Sequence, residues 1–587
     1  MSITTRQRRS IAPTSGDALP PRAPGRDRPG PSAQSSTWSE EAEKGGGSLD
    51  WKIPFVALAF LRYMSATSNI IHDCDETFNY WEPLHYLLYR SGFQTWEYSS
   101  EFALRSYLYI LFQALVAAPA SFLFGDDKVR VFYAVRLFLG LISTASDTVL
   151  IVALSRRYGR RIASYTLAML CLTSGCFFAS TSFLPSSLSM YAVTLSSALF
   201  LLEKYGMAVS VAAAGVILGW PFSVLVALPI TFYSLKRRLK EVFLAASMTS
   251  IIALILSVLT DHHYYGRWTS SVINLLAYNV LGGGESHLYG TEGLFFYLRN
   301  GFNNFNLCFV LALLFLGILP IARKKFAPDL LIVVSPLYIW LVFMSLQPHK
   351  EERFLYPIYP LICIAAAAVI ESFPDLFRRR YVTTDSPIVM AAKILRPLVL
   401  SLILCASHSR TFSLLNGYSA PLEIYKHLSL HEDAGEGSIL CVGSEWHRFP
   451  SSFFVPSYIS DVRWIDDGFR GLLPIPFNST LGGTAAAPPY FNNKNMASEK
   501  QYLRDTEACT FLVELELKRP YPSRGSDLSK WEVLAAIHYL DRELSSPLYR
   551  SFFIPYMWQR NVFGLYKLLK RIPNPETTSQ VWSTVEE

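Results

Sequence analysis

The sequence predicts a polytopic α-helical membrane protein of about eleven transmembrane helices, followed by a smaller polar α+β domain. Three observations carry this. Of 587 residues, 51% are hydrophobic, and the mean hydropathy is +0.24. Charged residues make up 17%, against roughly 25% in soluble domains. The apolar residues gather into runs close to the roughly 20 positions a helix needs to cross a bilayer, and Lys and Arg cluster mainly between those runs. The net charge of +7 therefore reads as membrane topology. No nucleic-acid motif accompanies it, so nucleic acid is not an expected partner.

Residues 1–50 are rich in Arg, Pro, Ser and Gly with few large apolar side chains, the composition of a disordered tail. No apolar h-region follows its basic residues before Trp51, so the stretch is not a signal peptide and reads as a cytosolic tail. Spans are expected at roughly 53–71, 106–124, 131–153, 162–182, 186–203, 209–233, 241–260, 305–321, 329–347, 354–372 and 388–405. Pro119, Pro221, Pro229, Pro336 and Pro360 lie within them and suit kinked helices lining a polar cavity. The domains that result are a tail at 1–50, a transmembrane catalytic part at 51–405 and a C-terminal domain at 406–587.

The clusters Lys236-Arg237-Arg238, Arg323-Lys324-Lys325 and Arg378-Arg379-Arg380 orient the chain with these loops in the cytosol. Loops 72–105, 261–304 and 348–353, and everything after 405, then face the opposite side. One cluster conflicts. Strict alternation puts Arg156-Arg157 and Arg160-Arg161 on the far side, so either upstream segments do not all cross or this loop breaks the rule.

The C-terminal part contains strand-like runs, Ile439–Val442 and Thr510–Leu515. It also carries a glycosylation sequon, Asn478-Ser479-Thr480, usable only in a lumenal domain. Cys441 and Cys509 lie in this polar region and pair if it folds in an oxidising compartment. Cys171, Cys176, Cys308, Cys363 and Cys405 fall in apolar runs and read as small packed hydrophobes.

Three constellations carry candidate chemistry. The first is HDCDETFNYWEP, residues 72–83, directly after the first apolar run. Asp73, Asp75 and Glu76 are costly charges at a membrane boundary, where charge usually has a job, and carboxylates serve as general bases. Trp81, Leu84 and Leu88 recur at i, i+3 and i+7. This predicts an amphipathic interfacial helix, with Tyr80 and Trp81 free to stack on sugar rings. The alternative is a solvated helix start. The second is the turn His349-Lys350-Glu351-Glu352-Arg353, on the same expected side, where Lys350, Arg353 and His349 suit a phosphate; the alternative is an internally paired charged turn. The third runs from Asp261-His262-His263 to Tyr289-Gly290-Thr291-Glu292, a loop suited to hydrogen-bonding a glycan. Its adjacent histidines are a poor metal motif because neighbours point apart. The polar stretch FLPSSLSMY at 183–191 suggests no role.

The runs DETFNYWEPLHYLLYRSGFQTWEYS, ALRSY, FLPSS, GWPFS, YGTE, HKEERFLYPIYP and VGSEWHRFPSSFFVP resemble the dolichyl-phosphate-mannose-dependent α-1,2-mannosyltransferases of N-glycan precursor assembly, polytopic GT-C glycosyltransferases. The resemblance covers roughly residues 51–570. It implies endoplasmic-reticulum residence and a lumenal active site. It also implies mannose addition to six- and eight-mannose lipid-linked intermediates, with dolichyl-phosphate mannose and dolichyl-diphosphate-linked oligosaccharide as partners. It assigns the base to Asp75, with Asp73 and Glu76 as competitors. His349, Lys350 and Arg353 fall to the donor phosphate, and Tyr80, Trp81, Glu351, Glu352, Tyr289 and Glu292 to substrate. Gly293-Leu294 stand where a Pro-Trp pair is expected after YGTE. No cofactor or metal is expected, although Asp73-Cys74-Asp75 spells a metal-compatible triplet. The HKEERF motif is shared with relatives making other linkages or serving GPI anchors. A lipid-linked-sugar flippase and a structural scaffold are the readings from other classes.

Overall fold

The computed structural model describes residues 49–573 except 282–287, 289, 323–327, 382–386 and 479–482. Tyr289, the 323–325 cluster and the 1–48 part of the tail lie outside the described residues, as do the side chains of 378–380. Among the described residues, six helices are long and apolar enough to cross a membrane: α2 (Tyr107–Phe124), α3 (Lys128–Tyr158), α6 (Leu239–Tyr265), α9 (Pro328–Leu346), Glu352–Leu376 within α10 (Tyr359–Tyr381) and the turn before it, and α11 (Pro387–Tyr418). A bent pair, α7 (Phe296–Phe305) and α8 (Leu307–Ala322), makes a seventh if counted as one broken span. The chain is thus a polytopic membrane protein. Shorter helices include α1 (Lys52–Ser68), α4 (Arg160–Leu172) and α5 (Pro185–Leu201).

Of the eleven expected spans, 53–71, 162–182, 186–203 and 209–233 hold no described helix that passes this test, and two runs take a course that the sequence did not suggest. The run 106–124 is a helix of sufficient length, but both its ends are held at the same end of the bundle. Arg105 reaches Tyr80 (3.0 Å) and Asp75 (3.8 Å), while Lys128 sits over the Tyr89 ring. Helix α2 therefore starts and finishes beside the first loop. The run 209–233 is a hairpin of two helices, Tyr205–Ala214 with a following π-turn and Val224–Arg237, broken at Trp220-Pro221. Pro221 lacks the N–H that a continuous helix needs, and the Trp220 N–H closes the preceding turn by donating to Gly215 O (3.2 Å) and to Ser189 Oγ (2.9 Å).

The return of α2 resolves the conflict over Arg156–Arg161. With one crossing fewer, α3 runs away from the first loop. Its far end meets Leu49, whose N–H donates to Ser155 Oγ (2.8 Å). Arg157 pairs with Asp329 and with Glu203 (3.5 Å), and Arg161 pairs with Glu371 (3.5 Å), which also binds Arg396 (3.3 Å). These partners flank the other expected basic loops. Among the described residues, Arg157, Arg161 and Arg396 with these partners therefore gather at the far end of α3. The opposite end carries the first loop.

The expected strands form. A five-stranded mixed sheet has the order β2-β1-β3-β5-β4, with β1 Ser438–Val442, β2 Ile459–Trp464, β3 Phe511–Glu516, β4 Trp531–Leu540 and β5 Phe563–Arg571. The β1 strand pairs in parallel with both β2 and β3, while β5 is antiparallel to β3 and β4. Cys441 on β1 and Cys509 before β3 form a disulfide, with Cα atoms 5.7 Å apart. The expected boundary at 405 falls inside α11, which continues to Tyr418, and Cys405 lies on its exposed face rather than in packing.

Candidate active site

The HDCDETFNYWEP loop starts as a capped helical turn. Asp73 Oδ1 accepts from the Asp75 N–H (2.9 Å), opening the turn Cys74–Glu76, and a π-turn at Thr77–Trp81 leads into helix Glu82–Tyr89. Such widened turns recur at functional sites. This one directs Asp75 and Tyr80 into a cavity of about 820 Å³ and turns Glu76 and Trp81 inward.

Arg353 is the centre of the charge cluster. Its Nε lies 3.0 Å from Asp73 Oδ2 and its terminal nitrogen 2.6 Å from Asp75 Oδ2, while Glu351 also binds it. Arg105 adds a second cation, 3.8 Å from Asp75 and 2.9 Å from Glu97. Glu97 also accepts from Asn79 (2.7 Å), which bonds Thr95 (2.7 Å), so this wall of the cavity is a connected polar network. His349 donates to Glu351 (3.1 Å) and Gly290 O (2.9 Å). Both ring nitrogens face acceptors, so the imidazolium form satisfies both, and the bond to Glu351 raises its pKa against burial.

The two aspartates are driven apart. Burial pushes Asp73 up; Arg353 opposes this, but the Glu351 and Asp75 charges add to the rise, which reaches about 7. Burial acts on Asp75 in the same sense, yet Arg353 and Arg105 outweigh it and hold its carboxyl below the usual range. Asp75 keeps 32% of its side chain exposed and lines the cavity, whereas Asp73 at 20% does not line it.

Several sequence-predicted residues are placed elsewhere. Glu76 is buried and accepts from the Phe183 N–H (3.0 Å) and Trp81 Nε1 (3.1 Å). It fixes the loop to the FLPSS segment and is out of reach of a cavity ligand. Trp81 is fully buried against Phe132 and Phe183, so the expected open interfacial helix is instead a core element with no ring free for a sugar. Lys350 is buried with its ammonium on the carbonyls of Glu292 (2.7 Å) and Gln347; it ties two loops together and does not line the cavity. Glu352 accepts from Asn300 and Asn304 (2.9 Å each), holding α7. Glu292 is exposed and 3.9 Å from Arg299. Of the expected substrate-binding residues, Tyr80 and Glu351 line the cavity. Asn478 is half-buried.

Other lining residues were given no role from the sequence. Leu184-Pro185-Ser186 from the unassigned polar stretch, Trp220 and Phe222 from GWPFS, and Trp446 and Phe469 from the C-terminal domain close the cavity. Glu82 was missed as well. It is fully buried and receives the Phe93 N–H (2.9 Å), Ser451 Oγ (2.8 Å), Ser452 N–H (2.6 Å) and Ser452 Oγ (2.7 Å). It thereby pins the acidic loop to the C-terminal domain.

Asp73, Cys74 and Asp75 bring their ligand atoms within 4.8 Å of one another, a possible cation site by geometry. Both carboxylates are already engaged by Arg353, so a divalent ion would have to displace the guanidinium.

A helical membrane bundle with a large cavity, walled by carboxylates and fixed guanidinium groups, suits a membrane-embedded enzyme. Residues 53–456 match the profile of the Alg9-like mannosyltransferase family. An Arabidopsis thaliana protein named alpha-1,2-mannosyltransferase ALG9 is 68% identical over 572 residues, covering 97% of this chain and 99% of that protein. The Homo sapiens protein of the same name is 37% identical over 546 residues, 88% of each. The chain belongs to the Alg9-like mannosyltransferase family and is a membrane glycosyltransferase. Among solved structures, ArnT from Cupriavidus metallidurans in the apo state aligns with TM-score 0.48 and 14% identity, over 79% of this chain and 92% of that one.

Proposed function

We propose that this chain transfers mannose from dolichyl-phosphate mannose to a lipid-linked oligosaccharide in α-1,2 linkage, on the lumenal side of the endoplasmic reticulum. The six- and eight-mannose intermediates are its acceptors. The observation that carries the reading is the Asp75–Arg353 contact in the cavity wall: an ionised carboxylate beside a guanidinium that can meet a phosphate. Three further points support it: the names of the relatives, the gathering of basic residues at the opposite end, and the Cys441–Cys509 disulfide, which suits an oxidising compartment.

The donor is a β-linked mannosyl phosphate and the product an α-glycoside, so the reaction is a single inverting displacement. Asp75 removes the proton from the acceptor 2-hydroxyl as that oxygen attacks C1 of mannose. The C1–O bond to phosphate breaks with its electron pair, and dolichyl phosphate leaves. Arg353, with Arg105 and protonated His349 behind it, stabilises the developing negative charge. Access decides between the aspartates. Asp73 has the pKa closer to that of an effective base, but Asp75 faces the cavity, and reach comes before pKa.

The test is reconstitution with dolichyl-phosphate mannose and acceptors of defined mannose branching. New α-1,2 linkages that depend on Asp75 are expected. Translocation of intact lipid-linked sugar with no new bond would establish the flippase instead.

A further inference from the structure

Helix α11 (Pro387–Tyr418) has 32 residues and rises about 48 Å, more than the roughly 30 Å hydrocarbon core. Its outer face is apolar, with Ile394, Leu398 and Leu402 all more than half exposed. The last charge on that face at the basic end is the exposed Lys393. About 20 residues of helix from there cross the core and bring α11 to the neighbourhood of residue 413.

Segment 544–560 is fastened to the helix at this level. Ser409 exchanges hydrogen bonds with Phe553 (3.0 and 2.9 Å), Arg410 donates to Ser551 O (3.1 Å), and Ser413 donates to Arg550 O (2.6 Å). The apolar face of α11 continues into it, since Phe412 packs on Phe553 and Phe553 on Trp558. Beyond these rings the segment turns its apolar side chains away from the protein. Leu544 is 49%, Leu548 55% and Tyr556 89% exposed. Tyr556 has φ +64°, a left-handed conformation unusual for an aromatic residue. Arg542 and Arg560 are exposed at the margins.

We propose that segment 544–560 is a membrane-interface anchor of the C-terminal domain. Leu548 and Tyr556 enter the headgroup region of the leaflet at the Asp75 end, and Arg542 and Arg560 contact anionic lipid phosphates. Continuity with the lipid-facing stripe of α11 and its height on that helix select lipid as the occupant. A large aromatic flanked by arginines fits the amphipathic boundary between headgroups and acyl chains. The anchor limits tilting of the domain that supplies Trp446 and Phe469 to the cavity.

The experiment uses the full chain in nanodiscs of phosphatidylcholine, with and without phosphatidylserine. Spin labels are placed at Leu548→Cys and Tyr556→Cys in a background carrying Cys405→Ser, and the signal of that background is subtracted. The reference is Leu528→Cys, exposed and separated from the segment by the ten-residue β4, roughly 33 Å. Labels at 548 and 556 are expected to be relaxed more by oxygen than by a water-soluble nickel chelate, the reverse of the ratio at 528. Phosphatidylserine is expected to shift them deeper, and Arg542→Gln with Arg560→Gln to remove that shift. Nickel-dominated relaxation at 548 and 556 overturns the proposal in favour of open solvent. Protection from both reagents overturns it in favour of a protein partner or a second copy of the chain. An oxygen-dominated ratio that ignores phosphatidylserine overturns the arginine contact.

Discussion

Arg353 donates to Asp75 at 2.6 Å across 278 positions of sequence, joining the first polar loop to the turn between α9 and α10. The same guanidinium holds Asp73 and Glu351. In this arrangement the candidate base is kept ionised by the group proposed to receive the donor phosphate. Donor and Asp75 therefore compete for one fork of N–H donors, so phosphate binding loosens the hold on the carboxylate that must accept a proton.

Asp75→Asn removes the base and leaves an amide oxygen to accept from Arg353. The expected outcome is a loss of turnover of about 10²–10⁴-fold with a modestly lowered melting temperature, since Arg353 keeps Asp73 and Glu351. Arg353→Lys keeps the charge but replaces a planar fork serving three carboxylates with a single ammonium. It is expected to lose about 10²-fold or more, chiefly in kcat. Single-turnover assays with saturating acceptor check both. Normal turnover in Asp75→Asn would sink the base assignment.

The pH dependence follows from Asp73. Its folded pKa, about 7, lies above the ordinary 3.8, so its protonation supports the folded loop fully below about 3.8, and that support is lost as pH rises through about 7. Asp75 has the opposite sign: its support is present above 3.8 and lost as pH falls through its depressed value. As Asp73 ionises, the cluster gains a negative charge beside the phosphate site. KM for the lipid-phosphate donor is therefore expected to climb as pH passes through about 7. In Asp73→Asn that climb should disappear while kcat is retained. A KM profile of identical shape in both proteins contradicts the placement.

Chelation separates metal-assisted from cation-assisted transfer. Because Arg353 occupies both carboxylates of the Asp73-Cys74-Asp75 triplet, EDTA is expected to leave the rate unchanged, and added Mg²⁺ or Mn²⁺ to raise it by less than about twofold. Loss of activity with EDTA, restored by one of these ions, identifies the triplet as a metal site.

Much of the membrane part was legible because length and hydropathy are properties of single segments. Its errors have a physical pattern. The run 106–124 satisfies the length test, yet α2 returns to the end it left because Arg105 and Lys128 are both anchored there, a tertiary fact. Asp75 and Arg353 were each visible as a charge beside an apolar run, but their partnership was not, since nothing local links the two loops. Glu76 and Trp81 were misread for the opposite reason. The pattern at 81, 84 and 88 marks an apolar face correctly, but Phe453 and Phe132 cover it where a membrane surface was expected. The serines of FLPSS carried no local signal; their segment meets the cavity only once the bundle is assembled.

Glu82 is the clearest case of a residue given no role from the sequence that works as a clamp. Its carboxylate is buried, and burial raises its pKa against four donated hydrogen bonds from Phe93, Ser451 and Ser452. Ser451 and Ser452 belong to VGSEWHRFPSSFFVP, so the clamp joins the two sequence runs that support opposite walls of the cavity. Glu82→Gln turns one acceptor oxygen into an NH₂ group facing N–H and O–H donors. The expected cost is about 3 kcal/mol, read as a lower melting temperature in detergent. Ser451→Ala and Ser452→Ala each leave a charged oxygen short of a donor and should lose about half as much. If the clamp also sets the distance between Asp75 and the Trp446 wall, acceptor KM rises in Glu82→Gln while donor KM does not. A variant that melts like the parent and binds acceptor normally shows that these four contacts do not hold the domain to the loop.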